Sequence, residues 1–330
     1  MTSPERMAQH FALPPVRTVQ PVGSGLTHQT YRVITTAGDF VLQRLHTAIP
    51  DAALTDMRVV TNYLASCGLL VPSLRLAPDG APYARDKQGQ RWRVYPWLPG
   101  QVLEAVPHAA LAHEAGRLVG QMHRHLAVLD YTPQGSVPHF HDTAFIVAEL
   151  HSVHDQLPAD TRAMAADLLA TLPALIDTEA PQQLIHGDLK ISNLLFNDAG
   201  QAVGLLDFDT VLRQARAIDL GDALRSWCNR TTEDDPQACF DRTFHMAAVN
   251  GYAEGMQRGL RPAEQDNYLR ATRQITGALA ARFLIDVVRD SYFGFDATRY
   301  PSRRAHNLAR ARAQYHLAQT IPASVVMGAL

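Results

Sequence analysis

The segment LIHGDLKISNLLF, residues 184–196, crowds polar side chains between two apolar runs. Among them are His186, Asp188, Lys190 and Asn193. A second apolar run, in GLLDFDTVL at residues 204–212, ends in Asp207, Asp209 and Thr210. Phosphoryl transfer needs such groups, because a carboxylate takes the proton of the acceptor hydroxyl while metal ions bridge the phosphates. The two segments therefore predict a pair of loops that supports phosphoryl transfer.

Three residues with side-chain oxygen atoms occur in an order that suits this chemistry. Asn193 follows Asp188 by five positions, and Asp207 follows it by nineteen. A kinase signature has the same order, with an Asp base, an Asn five positions later and a second Asp that binds Mg²⁺. Amide and carboxylate oxygens also suit Mg²⁺ as a hard ion. The pattern predicts that Asp188 orients and deprotonates the acceptor and that Asn193 and Asp207 hold the metal.

Lysine is rare in this chain, since only Lys87 and Lys190 are lysines among 30 lysine and arginine residues. Lys190 stands two residues after Asp188, where its ammonium could reach both the base and the transferring phosphoryl group. We therefore predict a catalytic role for Lys190, with a solvated loop lysine as the alternative. His186 is expected to pack and to hydrogen-bond the loop backbone.

Composition narrows the class of protein. A chain of 330 residues with 46% hydrophobic content can build a large core, in one domain or in two lobes. Its net charge of -2 shows no basic excess, so no nucleic-acid partner is expected. Three widely spaced cysteines indicate neither a disulfide framework nor a zinc site. The sequence has no leader-like N-terminus and no long apolar run, which predicts a cytoplasmic protein without a membrane partner. The protein is expected to be a monomer or a weak homodimer.

The pattern of residues changes near residue 100. Before it, β-branched and aromatic runs surround turn clusters such as TAGD, which predicts a hairpin, and one helix is expected from Asp51 as N-cap to Gly68. Beyond it, apolar residues recur at helical spacing, interrupted only at residues 184–212 by short strand-like runs. The pattern predicts an α+β protein with a small β-rich lobe and a larger, mainly helical lobe.

Longer motifs resemble those of one superfamily. LIHGDLKISNLLF and GLLDFDTVLRQARAIDLGDALR are similar to motifs of the aminoglycoside phosphotransferase and choline kinase superfamily, and PVGSGLTHQTYRV, FVLQRL and YPWLPG resemble its phosphate-covering hairpin, third strand and hinge. The resemblance implies a bilobal protein-kinase-like fold that uses ATP and Mg²⁺. It assigns residues 1–97 to the nucleotide-covering N-lobe and residues 98–330 to the C-lobe with the catalytic loops, metal loops and acceptor site. The nucleotide-binding residues that it implies are Gly23, Ser24, Gly25, Tyr95, Pro96, Trp97 and Leu98.

The resemblance also bears on the acceptor. GSGLTHQTYRV, VLQR, DFDTV, DLGDALR and RRAHNLARARAQY are most similar to motifs of N-acetylhexosamine 1-kinases. This similarity implies the anomeric hydroxyl of an N-acetylhexosamine or related sugar as the acceptor. Homoserine, choline-like amino alcohols and aminoglycosides are acceptors elsewhere in the superfamily and stay open as alternatives.

The chain departs from the protein-kinase pattern at several positions. The third-strand lysine is absent, and we predict that Arg44 binds phosphate in its place, partnered by Asp56 of the first helix. DFD replaces DFG and no APE follows, which favours a small acceptor over a regulated protein kinase. Asp209 is expected to bind metal or a substrate hydroxyl or to cap a turn, and Arg225 to face the acceptor, to face solvent or to form a salt bridge. Asp219 and Asp222 are expected to brace the loops or to cap a helix.

Two other classes of function stay open. A strand that ends in DFDT resembles the opening motif of haloacid-dehalogenase-type phosphatases, in which Asp207 would be the nucleophile and Asp209 the acid/base. That fold normally begins near this motif and needs a later lysine, whereas no lysine follows Lys190 here. The second alternative is an ATP-binding regulator with weak turnover, because the glycine loop is reduced and Arg44 replaces the lysine.

Overall fold

The computed structural model describes residues 3–22, 28–177 and 179–325, and it forms two compact units. The N-terminal unit comprises Met1–Pro99, Pro133–Val137 and Gly204–Val211, and the helical unit comprises Gly100–Thr132, Pro138–Val203 and Leu212–Leu330. The second polar segment of the sequence therefore packs with the N-terminal unit. The functional assignment of residues 1–97 and 98–330 stays a prediction.

An antiparallel sheet of five strands forms the centre of the N-terminal unit, in the order β1-β2-β3-β5-β4. The strands are β1 (Val16–Pro21), β2 (Gln29–Thr35), β3 (Gly38–Arg44), β4 (Ala84–Arg85) and β5 (Arg91–Pro96). Thr35 pairs with Gly38 across the β2–β3 turn, and Gly38 adopts a φ of +116°, which favours glycine. The hairpin predicted from TAGD is confirmed.

Two helices accompany this sheet, α1 (Pro4–His10) and α2 (Asp51–Ser66). The apolar stripe predicted for α2 is confirmed, since Leu54, Met57, Val60 and Leu64 are all fully buried. The predicted N-cap is wrong, because Pro50 occupies that position and the Asp51 carboxylate instead accepts hydrogen bonds from Arg85 and Arg91. The helix ends before Gly68, which has a φ of +89°.

The two faces of the sheet have different chemistry. One face packs against α1 in an apolar cluster that includes Met7, Phe11, Leu42, Trp92 and Val94. Successive side chains of a strand point to opposite faces, so Gln43, Arg93 and Tyr95 lie on the other face. The register confirms this arrangement, because Gln43 pairs with Arg93 and Val41 with Tyr95. The second face is therefore the one that carries buried polar groups.

The helical unit contains seven helices and short strands among its described residues. The helices are α3 (Ala109–Leu126), α4 (Thr143–Val153), α5 (Arg162–Thr171), α6 (Arg216–Trp227), α7 (Arg242–Gly255), α8 (Pro262–Arg289) and α9 (Arg303–Thr320). The strand β6 (Gln182–Ile185) pairs with β9 (Leu212–Ala215), and β7 (Leu194–Phe196) pairs with β8 (Ala202–Leu205), along which the chain passes into the N-terminal unit. No helix in the described part of the chain is long and apolar enough to span a membrane.

Glycines allow α3 and α7 to approach closely. A Cβ atom at Gly116 would lie 2.1 Å from the carbonyl oxygen of Ala248, and one at Gly251 would lie 1.9 Å from the carbonyl oxygen of His113. Both neighbouring atoms belong to helix backbone and cannot turn aside as a flexible side chain can. The helix pair therefore depends on glycine at these positions.

We expect Gly251→Ala to lower the free energy of unfolding by about 1–3 kcal/mol, because the methyl group forces two packed helix backbones apart. Gly259→Ala is the matched control, since a Cβ atom there would meet nothing within 4 Å. Urea denaturation of both variants measures the difference. Equal stability of the two variants would contradict the close-packing account.

Candidate active site

Asp219 of α6 holds the loop that follows β6. Its Oδ2 accepts the backbone N–H of His186 at 2.8 Å, and its Oδ1 accepts that of Gly187 at 2.8 Å. Asp219 is fully buried, and Gly187 has a φ of +89°. A carboxylate that accepts two backbone N–H groups fixes the path of the chain just before Asp188. The predicted bracing role of Asp219 is confirmed, whereas helix capping is not, because α6 already begins at Arg216.

A buried histidine and tyrosine extend this arrangement. Nε2 of His123 lies 2.9 Å from Oδ2 of Asp219, and Nδ1 lies 2.8 Å from the hydroxyl oxygen of Tyr252. Burial lowers the pKa of His123, so its ring is neutral near pH 7 despite the opposing effect of Asp219. The neutral ring donates from Nε2 to Asp219 and accepts at Nδ1 from the Tyr252 hydroxyl. The loop is thus linked through Asp219 to α3 and α7.

The Asp188 carboxylate contacts an ammonium and an amide. Nζ of Lys190 donates to Oδ2 of Asp188 at 2.7 Å, and Nδ2 of Asn193 donates to the same oxygen at 3.0 Å. Burial alone would raise the pKa of Asp188, but Lys190, His186 and Arg225 together hold it below its usual value. Asp188 is therefore an ionised carboxylate near pH 7, as a general base must be.

The rest of this loop is anchored from α6 and from its own backbone. The N–H of Ile191 donates to Oγ of Ser226 at 2.9 Å, and Nε1 of Trp227 donates to the carbonyl of Leu189 at 2.9 Å. Fully buried His186 accepts the N–H of Asp188 at its Nδ1, 3.2 Å away, which confirms its predicted structural role. These anchors fix the backbone on both sides of Asp188.

Asn193 presents one defined oxygen. Its Nδ2 donates to both the backbone carbonyl and the Oδ2 of Asp188, at 2.8 and 3.0 Å. Because Nδ2 is committed to Asp188, the amide orientation is fixed and Oδ1 points away from that carboxylate. Oδ1 is then a neutral oxygen ligand of the kind that a hard divalent cation accepts. The residue type and geometry of Asn193 fit the predicted metal.

The second polar segment has an unusual backbone at Asp207. Asp207 adopts φ +59° and ψ 63°, the left-handed region, which is uncommon for a residue other than glycine. Phe208 beside it is fully buried, and residues 208–210 form a 3₁₀ turn. Asp207 belongs to the N-terminal unit, and its convergence with Asp188 and Asn193 stays a prediction.

Asp209 is engaged by an arginine and a histidine. Nη1 and Nη2 of Arg93 donate to Oδ1 and Oδ2 of Asp209, the second at 3.0 Å, and Nε2 of His28 lies 2.8 Å from Oδ2. Burial would raise the pKa of Asp209, but Arg93 and His28 hold it far below its usual value. Asp209 is 3% exposed, so its observed contacts are those of a buried ion pair. Its predicted substrate role stays a prediction.

Among the described residues, His28, Asp207 and Asp209 form the one group of three or more histidine, cysteine, aspartate or glutamate side chains whose ligand atoms could meet at a metal ion, since these atoms lie within 4.8 Å of one another. His28 and Asp209 are already bonded to each other, and Asp209 also pairs with Arg93. A metal bound by Asp209 would compete with this ion pair, whereas a metal bound by Asp207 would not. The donor set therefore fits the prediction of Asp207, rather than Asp209, as the metal ligand.

Arg44 lies on the sheet face opposite Gln43 and Arg93, because side chains alternate along β3. Its Nη1 donates to Gln29 at 3.2 Å and its Nη2 to Gln90 at 3.5 Å. The expected partnership with Asp56 is wrong, since Asp56 accepts the backbone N–H groups of residues 134 and 135 instead. The phosphate role of Arg44 stays a prediction, and its orientation does not favour it.

The remaining nucleotide-binding predictions concern the glycine loop and the hinge. Gly23, Ser24 and Gly25 lie outside the described residues. In the predicted hinge, the N–H of Trp97 donates to the carbonyl of Asp39 at 2.9 Å, and Pro96 has no N–H. The hinge donor with no partner among the described residues is the N–H of Leu98.

Arg225 is buried at 7% exposure beside Asp222. Its Nε and Nη2 donate to Oδ1 of Asp222 at 3.2 and 2.8 Å, and its Nη1 lies 3.6 Å from Glu233. Its charge also lowers the pKa of Asp188, which places it within electrostatic reach of the base. The predicted contact between Arg225 and the acceptor stays a prediction.

Sequence reasoning missed three residues that shape the site. Arg93 was visible only as a charge inside the strand RWRVYP, and His28 only as a neighbour of the glycine loop. His141, which belongs to the HFH run, donates from Nε2 to the carbonyl of Gly187 at 2.6 Å. None of these residues has a short motif, because each acts on a partner far away in sequence.

The chain is similar in sequence to a known protein family and to named relatives. The model of the phosphotransferase enzyme family (APH) matches residues 18–283. A homoserine kinase of Gluconacetobacter diazotrophicus is 30% identical over 314 residues, covering 90% of this chain and 91% of that protein. A homoserine kinase of Neisseria meningitidis serogroup B is 26% identical over 284 residues, covering 83% and 84% of the two chains.

Solved structures share the fold at lower identity. An amicoumacin kinase in complex with AMP-PNP, Ca²⁺ and Ami gives a TM-score of 0.66 at 16% identity, covering 98% of this chain and 96% of that one. The GDP complex of aminoglycoside 2'-phosphotransferase-IIIa gives a TM-score of 0.66 at 14% identity, covering 94% and 96% of the two chains. The predicted protein-kinase-like α+β fold is confirmed.

We expect Asp219→Ala to lower the free energy of unfolding by about 3–5 kcal/mol, because it leaves two buried backbone N–H groups and His123 without an acceptor. Tyr252→Phe removes a single hydrogen bond from the same network and should cost only about 1 kcal/mol. Urea denaturation of both variants measures this order. A stability change in Asp219→Ala as small as that in Tyr252→Phe would refute the bracing role.

Proposed function

This chain belongs to the phosphotransferase enzyme family (APH) and is a small-molecule kinase, and we propose that it transfers the γ-phosphoryl group of ATP to a hydroxyl in the presence of Mg²⁺. The observation that carries the proposal is the Asp188 carboxylate, which is bonded to both Lys190 and Asn193. One loop thus holds a base, a cation and a neutral oxygen ligand. Phosphoryl transfer uses these three groups together.

Asp188 orients the acceptor hydroxyl and takes its proton as the oxygen attacks the γ-phosphorus. The Lys190 ammonium is 44% exposed in its side chain, and it rests on Asp188 through a flexible stem. It can therefore remain near Asp188 and also meet the negative charge of the transferring phosphoryl group. The two side chains act on opposite partners of the same reaction.

The fit of the donor set supports Asn193 and Asp207 as the residues that hold Mg²⁺. Oδ1 of Asn193 is oriented by the two hydrogen bonds of Nδ2, and Asp207 contributes a carboxylate from the second segment. Bound by these residues, Mg²⁺ would neutralise the negative charge of the phosphates. The contribution of the chain is to fix the ligand atoms before the nucleotide arrives.

Nucleotide binding is proposed at the hinge and the glycine loop. The adenine edge would meet backbone groups between Tyr95 and Leu98, with the Leu98 N–H as the donor because the Trp97 N–H is already committed to Asp39. Gly23, Ser24 and Gly25 would approach the phosphates through backbone N–H groups. Arg44 would need to turn away from Gln29 and Gln90 to take part.

Homoserine is the first candidate acceptor. Its support comes from relatives named homoserine kinase that align along more than four-fifths of this chain. A homoserine carboxylate would require a cation near Asp188, and Arg225 is the buried cation whose charge is felt there. Arg225 is already paired with Asp222, so the acceptor would share its guanidinium.

The anomeric hydroxyl of an N-acetylhexosamine is the second candidate. It is supported by the likeness of DFDTV, DLGDALR and RRAHNLARARAQY to motifs of N-acetylhexosamine 1-kinases. The charge balance near Asp188 is compatible with a neutral sugar, because Arg225 is accompanied by Asp222 and Glu233. A direct comparison of substrates separates the two candidates.

The buried ion pair of Asp209 weighs against a haloacid-dehalogenase-type phosphatase. In that chemistry Asp209 would exchange protons with the leaving group, but both of its oxygens are bonded to Arg93 and His28. The low pKa that these partners produce disfavours a proton donor near pH 7. Kinase chemistry places no such demand on Asp209.

We expect an ATP-consumption screen over homoserine, N-acetylhexosamines, amino alcohols and aminoglycosides to find one acceptor class that turns over with Mg²⁺. Asp188→Asn should lower kcat by about 100-fold or more while ATP still binds, because the proton acceptor is lost. Asp155→Asn is the control, since that side chain is fully exposed. Phosphate release from a phosphorylated sugar without ATP would support the phosphatase instead, and binding without any turnover would support the regulator.

Replacement of Lys190 should change both the rate and the pH profile. Lys190→Met removes a cation that lowers the pKa of Asp188, so that pKa rises and the acid limb of kcat/KM moves to higher pH. We also expect kcat to fall by about 10- to 100-fold, because phosphate charge is less well balanced. Lys87→Met, at the only other lysine, is the control and should leave both unchanged. An acid limb that does not move in Lys190→Met would contradict this role.

A further inference from the structure

The sheet face that carries Gln43, Arg93 and Tyr95, here called the inner face, holds a buried ion pair. This pair, Arg93 with Asp209, has no role in the proposed reaction. Arg93 is 1% exposed and Asp209 is 3% exposed, and the guanidinium meets both carboxylate oxygens. Burial of such a pair brings little net stability, because desolvation offsets the attraction. Its presence two residues after Asp207 therefore calls for an explanation other than stability.

Three neighbouring strands supply the contacts that fix this pair. Nε of Arg93, on β5, donates to Oε1 of Gln43 on β3 at 2.9 Å, and Nε2 of Gln43 donates to Thr30 on β2 at 3.1 Å. The guanidinium is thus held in one orientation before it reaches Asp209. Arg93 is a fixed anchor and not a side chain that follows the loop.

The hydrogen bonds of His28 fix the tautomer of its ring, and this tautomer makes His28 a donor to Asp209. The backbone N–H of His46 donates to Nδ1 of His28 at 3.1 Å, so Nδ1 is the acceptor nitrogen. Nε2 then carries the proton and donates to Oδ2 of Asp209 at 2.8 Å. His28 follows directly after the glycine loop in the sequence. The same carboxylate is therefore bound by a residue next to the predicted phosphate-binding segment.

Asp207 lies between two such anchors. On one side, the N–H of Leu205 donates to the carbonyl of Leu70 at 3.0 Å, and on the other side Asp209 is bound by Arg93 and His28. The left-handed backbone of Asp207 is unfavourable for a residue other than glycine and persists only where its surroundings impose it. The ion pair of Asp209 lies two residues away, close enough to act as such a constraint.

We propose that Arg93 and His28 are positioning residues that hold Asp209 so that the left-handed turn presents the Asp207 carboxylate to Mg²⁺. This inference rests on the proposed function, in which Asp207 is a metal ligand. The inner position of β3 is Gln43, and the buried cation of this face comes from β5 as Arg93.

The charges predict what happens when the pair is broken. Asp207 and Asp209 offer oxygens within 4.8 Å of each other, and Arg93 already interacts electrostatically with both. If Asp209 loses its charge, Asp207 becomes the nearest carboxylate for the Arg93 guanidinium. Arg93 would then compete with Mg²⁺ for Asp207.

The test is calorimetric binding of Mg²⁺ and AMP-PNP to the full-length protein, together with the Mg²⁺ dependence of turnover. We expect Asp209→Asn to raise the half-saturating Mg²⁺ concentration by about tenfold or more, with a smaller fall in kcat at saturating Mg²⁺. The double variant Arg93→Gln/Asp209→Asn removes the competing cation but also the anchor, so its Mg²⁺ requirement should lie below that of Asp209→Asn and stay about threefold or more above that of the wild type.

The Asp51→Asn variant is the matched control. Asp51 pairs with Arg91, a buried arginine of the same strand, in the same unit, but without contact to Asp209. Its substitution should alter the unfolding midpoint and leave the Mg²⁺ requirement unchanged. If Asp209→Asn does not fold, His28→Gln tests the same inference, with an expected rise of about two- to fivefold.

The outcomes separate the inference from the proposed function. Unchanged Mg²⁺ dependence in folded Asp209→Asn or His28→Gln, together with a lower unfolding midpoint, would overturn the positioning role and leave a structural one. Absence of Mg²⁺ and AMP-PNP binding in the wild type would instead overturn the proposed function. A Mg²⁺ requirement that rises in Asp209→Asn and His28→Gln and is only partly restored in the double variant would support the inference, whereas full restoration would show that charge competition alone acts and would overturn the positioning role.

Discussion

The geometry of the candidate site depends on one buried carboxylate. Asp219 accepts two consecutive backbone N–H groups at 2.8 Å, and these belong to the residues immediately before Asp188. Because an ionised, fully buried group is costly without partners, Asp219 fixes the loop as firmly as the loop stabilises Asp219. His123 of α3 donates to Asp219 and in turn accepts a hydrogen bond from Tyr252 of α7, and these two helices pack through glycines. The position of Asp188, the proposed base, is thus determined by the core of the helical unit.

Each of the two polar segments keeps a carboxylate ionised beside apolar runs, but by different contacts. The first keeps Asp188 ionised with cations nearby, Lys190 in direct contact and Arg225 farther away. The second isolates Asp209 in an ion pair with Arg93, which separates it chemically from Asp207 two residues earlier. In each segment one carboxylate, Asp188 or Asp207, is proposed to take part in the reaction, and other charged groups lie around it. This division explains why so many charges occur next to apolar runs.

Much of the fold was readable from the sequence, because it depends on local patterns. The TAGD turn predicted the β2–β3 hairpin, and the helical spacing of Leu54, Met57, Val60 and Leu64 predicted the buried face of α2. The likeness of the catalytic motifs predicted the superfamily, which the family match confirms. The contact of Asp188 with Asn193 also agrees with the five-residue spacing that suggested it. The likeness to N-acetylhexosamine kinases has no such support and stays a prediction.

The sequence did not predict what depends on distant partners. The sequence predicts Arg44 as the phosphate ligand because it is the cation of β3. In the structure, the strand register places Gln43, and not Arg44, on the face that carries Arg93 and its partner Asp209. The partner of Arg93 lies 116 residues away, and that of His28 lies 181 residues away, so no short motif contains either pair. The predicted N-cap of α2 is wrong for a related reason, since the Asp51 side chain accepts hydrogen bonds from Arg91 and Arg85. When the partner of a side chain lies on another element, that partner can be identified only from the tertiary fold.

The most direct test of the central claim is the position of a divalent cation in a crystal of the wild-type protein grown with AMP-PNP and Mn²⁺, located by its anomalous scattering. We predict Mn²⁺ bound by Oδ1 of Asn193 and a carboxylate oxygen of Asp207, beside the phosphates of the nucleotide. A nucleotide-associated Mn²⁺ that contacts neither residue would show that the two segments do not form one phosphoryl-transfer site.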